Sequence, residues 1–145
     1  MAIHKIDGVD GDANFPKKFV TLFVDDAVTA GQWVMIDTGD TTNGLGASIT
    51  PALAGGTSGT ALTFGVATET VAAGGVCKVQ TAGKFVDASC NSVSAGDALV
   101  VNNAAAGRAV TYASGTHTAA PPCGVALESD SSNLADVLII DQGYF

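Results

Sequence analysis

"GVATETVAAGGVCKVQTAGKF" (residues 65–85) opens on a phrase that the chain writes again as "GVALE" at 124–128. Each copy has the same neighbours. "AVTAGQWVMID" (27–37) precedes the first and "SVSAGDALVVN" (92–102) the second, both reading small–Val–Thr/Ser–Ala–Gly–polar before an apolar run. "VQTAGKF" (79–85) follows the first and "IIDQGYF" (139–145) ends the chain after the second. Gly31, Gly65 and Gly83 thereby correspond to Gly96, Gly124 and Gly143. Three landmarks in one order point to an internal duplication, with pseudo-repeats at about 27–85 and 92–145.

The local pattern around these landmarks is β. "KKFVTLFVDD" (17–26), "QWVMID" (32–37), "ALTFGVAT" (61–68), "GVCKVQT" (75–81), "ALVVNN" (98–103), "AVTYA" (109–113), "CGVALES" (123–129) and "DVLIID" (136–141) are rich in Val, Ile, Thr and aromatics. They are bounded by Gly, Asn, Asp and Pro, the residues that turns require. Within "VCKVQT", alternation sends Val76, Lys78 and Gln80 to one face and Cys77, Val79 and Thr81 to the other. The Gly of AGQ/AGD is expected at positive φ in a turn, and the Gly of GVA at a close backbone approach inside a strand. No amphipathic helix is evident; "TPALAGG" (50–56) offers at most one turn, with Thr50 as cap and Pro51 behind it. The expected fold is all-β: an antiparallel β-sandwich or barrel built from two similar β-lobes, with little helix. An extended N-terminal arm (1–19) leads into a single β domain (20–145). Most aromatics are expected in the core.

Composition excludes several functions. The chain has 145 residues, is 47% hydrophobic and 14% charged, and carries a net charge of −8. Its mean hydropathy is +0.35 and its pI about 4.2. Disordered chains need low hydrophobicity and high charge density. Nucleic-acid binders need clustered cations, and six Lys plus Arg stand here against fourteen Asp plus Glu. The start "MAIHKIDGVDGD" has no apolar signal core, and the longest apolar run, "DVLII", is far below a bilayer span of ~20 residues. The expectation is a soluble protein without membrane contact, made in a cytoplasm. Cys77, Cys90 and Cys123 lack CxxC spacing and read as reduced thiols.

No catalytic or metal-binding set emerges. Glu69 and Glu128 would suit paired acid–base chemistry, but duplication accounts for the pair without it. "DGVDGD" (7–12) puts acids at positions 1, 4 and 6 of a would-be calcium loop, with Lys18 where the closing Glu belongs, so the EF-hand pattern fails. His4 and His117 lack partners at ligand spacing, and neither GxSxG nor a phosphate-binding loop occurs. The chain is expected to be no enzyme and to need neither cofactor nor metal. The loop at 39–60 is polar and lacks an aromatic residue to stack on a sugar. Tyr144 and Phe145 follow an apolar strand and suit burial against a neighbour.

These residues together resemble the small capsid decoration (cement) proteins of tailed bacteriophages. The resemblance covers about residues 20–145 and centres on "GVA" followed by "AGGVCKVQTAG" (73–83). It implies a structural virion protein on the capsid exterior, made in the bacterial host cytoplasm. Such a protein is expected as a homotrimer bound to the major capsid protein, cementing neighbouring capsomers of the expanded shell. The residues expected to meet capsid or a neighbouring subunit are Ile3, Lys5, Ile6, Phe15, Lys17, Lys18 and Phe19 of the arm, with Tyr144 and Phe145. The alternative is a carbohydrate- or receptor-binding β-module of a phage fibre or spike.

Overall fold

A computed structural model describes residues 16–37, 48–52, 63–101, 105–114, 116–117 and 121–141. Among them are nine strands and no helix: β1 (Lys18–Val24), β2 (Trp33–Ile36), β3 (Ser48–Pro51), β4 (Thr63–Ala67), β5 (Val76–Ser89), β6 (Ala98–Val101), β7 (Ala109–Thr111), β8 (Gly124–Ala126) and β9 (Leu134–Ile139). The sheet runs β1-β3-β2-β4-β5-β9-β8-β6-β7, and β1 pairs with β5 as well. That extra pairing closes β1, β3, β2, β4 and the first half of β5 into a five-stranded barrel. All its pairings are antiparallel except β1–β3, which is parallel.

The second lobe repeats the first strand for strand. The later half of β5 takes the place of β1, β6 that of β2, β7 that of β3, β8 that of β4, and β9 that of the first half of β5. Even the parallel closure recurs, as a bridge from Cys90 to Ala109. Hydrogen bonds match atom for atom. Asp25 N–H donates to the Ile49 carbonyl and Asn91 N–H to that of Ala109; Gly31 N–H donates to Ala67 and Gly96 N–H to Ala126. The expected all-β architecture of two similar lobes is therefore observed, as two small barrels sharing one 14-residue strand.

Both sequence landmarks behave as their chemistry requires. Gly31 and Gly96 sit at φ +86° and +90°, where a Cβ would be strained. Gly65 and Gly124 lie where a Cβ would stand 2.3 Å from the Gln80 carbonyl oxygen and 2.8 Å from that of Leu138. Any side chain there would push the strands apart. The third landmark pairs differently from the expectation. Lys78, Val79 and Gln80 match Asp136, Val137 and Leu138 in register, which sets Asp141 against Gly83; Gly143 lies outside the described residues.

Two further readings need correction. Thr50 and Pro51 do not open a helical turn: they pair with Met35 and Val34 as β3, and Pro51 ends the strand, where its missing N–H is tolerated. β5 also does not stop at Thr81 but continues to Ser89, because β9 takes up pairing where β1 leaves off.

The two cores use equivalent positions. Val24, Val28, Val34, Ile49, Cys77 and Val79 fill the first, and Cys90, Val93, Leu99, Ala109, Ala135 and Val137 fill the second. Several second-core residues are smaller, and Trp33, Ala52 and Val66 of the first lobe occupy the space. Trp33 is fully buried. Its Nε1–H donates to the Ser89 carbonyl at 3.1 Å, and the Cβ that Gly124 lacks would lie 3.0 Å from its Cη2. A backbone chain joins the lobes beside it: Ala52 N–H donates to Trp33, Trp33 N–H to Gly107, and Gly107 N–H to Ala52.

Candidate interaction surface

The two GVA glutamates occupy one structural station. Glu69 Oε1 accepts the Lys78 N–H and Glu128 Oε1 accepts the Asp136 N–H, each at 3.1 Å. Each carboxylate closes the loop between two barrel strands of its own lobe. Among the described residues, no group of three or more His, Cys, Asp or Glu is placed to hold a metal, and no helix is long and apolar enough to cross a membrane. The three thiols are free and buried. Burial pushes Cys90 and Cys123 up to about 12 and raises Cys77 as well, which removes the thiolate needed for nucleophilic work.

The surface features are of another kind. In β1, alternation buries Val24, half-buries Val20 and Leu22, and turns Phe19, Thr21 and Phe23 outward. Register sets Phe23 beside Val76 and Thr21 beside Lys78. Phe19, Phe23 and Val76 remain 43%, 42% and 50% exposed. Phe19, expected at an interface, is exposed, while Phe23 is an exception to the expectation that most aromatics are core. Lys78 Nζ lies 4.3 Å from the centre of the Phe19 ring, a cation–π contact. Gln80, next on this side, is buried with its Nε2 donating to the Ala82 and Lys84 carbonyls.

The corresponding face of the second lobe carries Lys84 for Phe19, Ser89 for Phe23, Leu134 for Val76 and Asp136 for Lys78, by the shared register. Lys84 Nζ and Asp136 Oδ2 form an ion pair at 3.1 Å. Opposite Asp136, β5 bulges between Phe85 and Ala88. Asp87 there has φ +60° and its N–H donates to Asp136 Oδ1. The bulge leaves Val86 56% exposed. Leu127, just beyond β8, is also exposed, with its N–H on the Asp136 carbonyl. Of the exposed large apolar side chains, Val76 and Val86 lie on β5, Phe19, Phe23 and Leu134 on the strands paired with it, and Leu127 just beyond β8.

Of the residues expected at an interface, Lys18 and Phe19 are strand residues of β1, paired with Ala82 and Gln80. Lys17 lies exposed just ahead of them. Lys18 Nζ forms an ion pair with the Asp141 carboxylate just beyond β9, so residues 1–15 and 142–145 join the described fold at one place. Ile3, Lys5, Ile6, Phe15, Tyr144 and Phe145 lie outside the described residues. Sequence reasoning passed over Phe23 and Val76. The signal was available in "FVTLF" (19–23), whose two ends share a face under strict alternation.

No family model matches the chain, and no curated protein matches it. Among solved structures, it is similar to the "head fiber gp8.5 N base" of bacteriophage phi29. The match has a TM-score of 0.56 at 18% identity, covering 87% of this chain and 96% of that one. The likeness shows a common fold, extending over both lobes.

Proposed function

We propose that the chain is a structural protein of a phage virion, carried on the outside of the head. The observation that carries this reading is the fold shared with a head fibre base over nearly the full length of both chains. The sequence resemblance to capsid decoration proteins points the same way. In this reading a homotrimer binds the major capsid protein and cements neighbouring capsomers. In it, the segment ahead of β1 and the Tyr144-Phe145 end contact the shell, and the described residues nearest both, Lys18 and Asp141, form an ion pair. The activity is linkage and not catalysis. A ligand that binds only the expanded lattice stabilises it by mass action, by ~2.7 kcal/mol when present at a hundred times its dissociation constant.

The test is co-sedimentation of the purified protein with expanded heads that lack it, followed by heating of the loaded heads. Binding with a raised temperature of DNA release is expected; no binding refutes the reading. Deleting residues 2–16 leaves β1 intact and should abolish attachment. The name of the similar structure favours one second reading, a fibre or spike module. Attachment without any gain in head stability selects it.

A further inference from the structure

The two outward faces that flank β5 are built on equivalent positions but differ in charge. Beside the first-lobe face stand Lys17, Lys18 and Lys78, with Glu69 and Asp141. Beside the second stands Lys84, with Asp87, Glu128 and Asp136. At the matched centre of each face, Lys78 is replaced by Asp136. The first face carries Phe19, Phe23 and Val76 with Thr21 between them, and the second carries Val86, Leu127 and Leu134 with Ser89.

We propose that the first-lobe face of one chain packs against the second-lobe face of another copy of this chain. The charge pattern selects this occupant. Over the side chains named, the first face is net positive, with three Lys against Glu69 and Asp141, and the second is net negative, with Lys84 ion-paired to Asp136 and Asp87 and Glu128 left over, so two like faces repel. Only the mixed pairing sets opposite charges over shared apolar surface. Elsewhere the described surface carries Asp25, Asp26, Asp37, Asp97 and Asp130 against Arg108, and copies with a net charge of −8 repel one another there. Because different surfaces meet, the contact is heterologous and closes as a ring, of three copies in the reading above. The inference specifies the oligomer within the reading above and rests on that part alone; head attachment is a separate measurement.

Sedimentation velocity of the full chain over a range of concentrations tests it. The wild type is expected to associate. Phe23→Ser and Leu127→Ser, both at exposed sites that preserve the fold, should each shift the chain to monomer. Lys78→Glu and Asp136→Lys should each weaken association about tenfold or more, the order expected for a close charge pair. The double variant should recover most of the loss, which a merely structural role of either residue would not produce. A monomeric wild type overturns the proposal, as do Phe23→Ser and Leu127→Ser chains that associate normally. A monomeric wild type whose head binding is lost on Phe23→Ser assigns the face to the shell protein instead, leaving the virion reading intact.

Discussion

Replacing Trp33 with Ala should cost more than any other single truncation. Trp33 belongs to β2 of the first barrel, yet its ring is fully buried within the core of the second. Truncating a buried Trp costs about 3–5 kcal/mol, through lost transfer energy and a cavity that closes only in part. The site has little means to collapse, since the cavity walls are two barrels joined by backbone hydrogen bonds. The Ser89 carbonyl also loses its Nε1–H partner, which adds about 1 kcal/mol. A total near 4–6 kcal/mol is a large fraction of the roughly 5–15 kcal/mol that holds a domain folded. It lowers the melting temperature by about 10–20 °C for a chain of this size. Urea and thermal unfolding followed by circular dichroism measure it; fluorescence does not serve, because Trp33 is the single tryptophan. The wild type should unfold in one transition, since one side chain belongs to both lobes. A loss below about 1 kcal/mol, or two separate wild-type transitions, would refute the reasoning.

The other expectations are smaller or local. Gly124→Ala sets a methyl 2.8 Å from the Leu138 carbonyl oxygen and 3.0 Å from Trp33 Cη2, and should destabilise by about 1–3 kcal/mol; an unchanged denaturation midpoint contradicts the packing. Cys90 and Cys123 should resist alkylation at neutral pH in the folded protein and react on unfolding, as mass spectrometry of a urea series would show. The Thr111 hydroxyl and then the Ser94 N–H hold the Asp97 carboxyl below its usual range. A depressed carboxylate stabilises the fold above its unfolded-state pKa, about 3.9, and this contribution is lost as pH falls through the folded value. Asp97→Asn should therefore be less stable than wild type at neutral pH, with the gap closing in acid; a pH-independent gap contradicts this. Glu69→Gln and Glu128→Gln keep the accepting oxygen and should shift stability by less than about 0.5 kcal/mol, without effect on head binding.

The lobes were legible because their markers are backbone requirements. Gly31 and Gly96 are needed for positive φ, and Gly65 and Gly124 for close strand approach, so both pairs stand out whatever surrounds them. β1 and the later half of β5 left no such mark. As counterparts they share almost no side chains, Phe19 against Lys84 and Phe23 against Ser89, and the bulge at Val86-Asp87 breaks the alternation that would have aligned them. β3 was hidden for a different reason: "SITP" (48–51) sits in a Gly- and Thr-rich stretch, and its strand state is imposed by pairing with β1 and β2. Exposed Phe19 and Phe23 have strand-forming chemistry that suits a core equally well. Only the register shows which face they take.

The strand common to both lobes has a mechanical consequence. A strand of 14 residues is here the tether between the lobes. It is hydrogen-bonded to β1, β4 and β9 along its length. Bending at the waist would break ladder bonds, and limited proteolysis would find no slack segment there to cut. The duplication boundary thus lies inside a strand that is paired in both lobes, and the two lobes move as one beam.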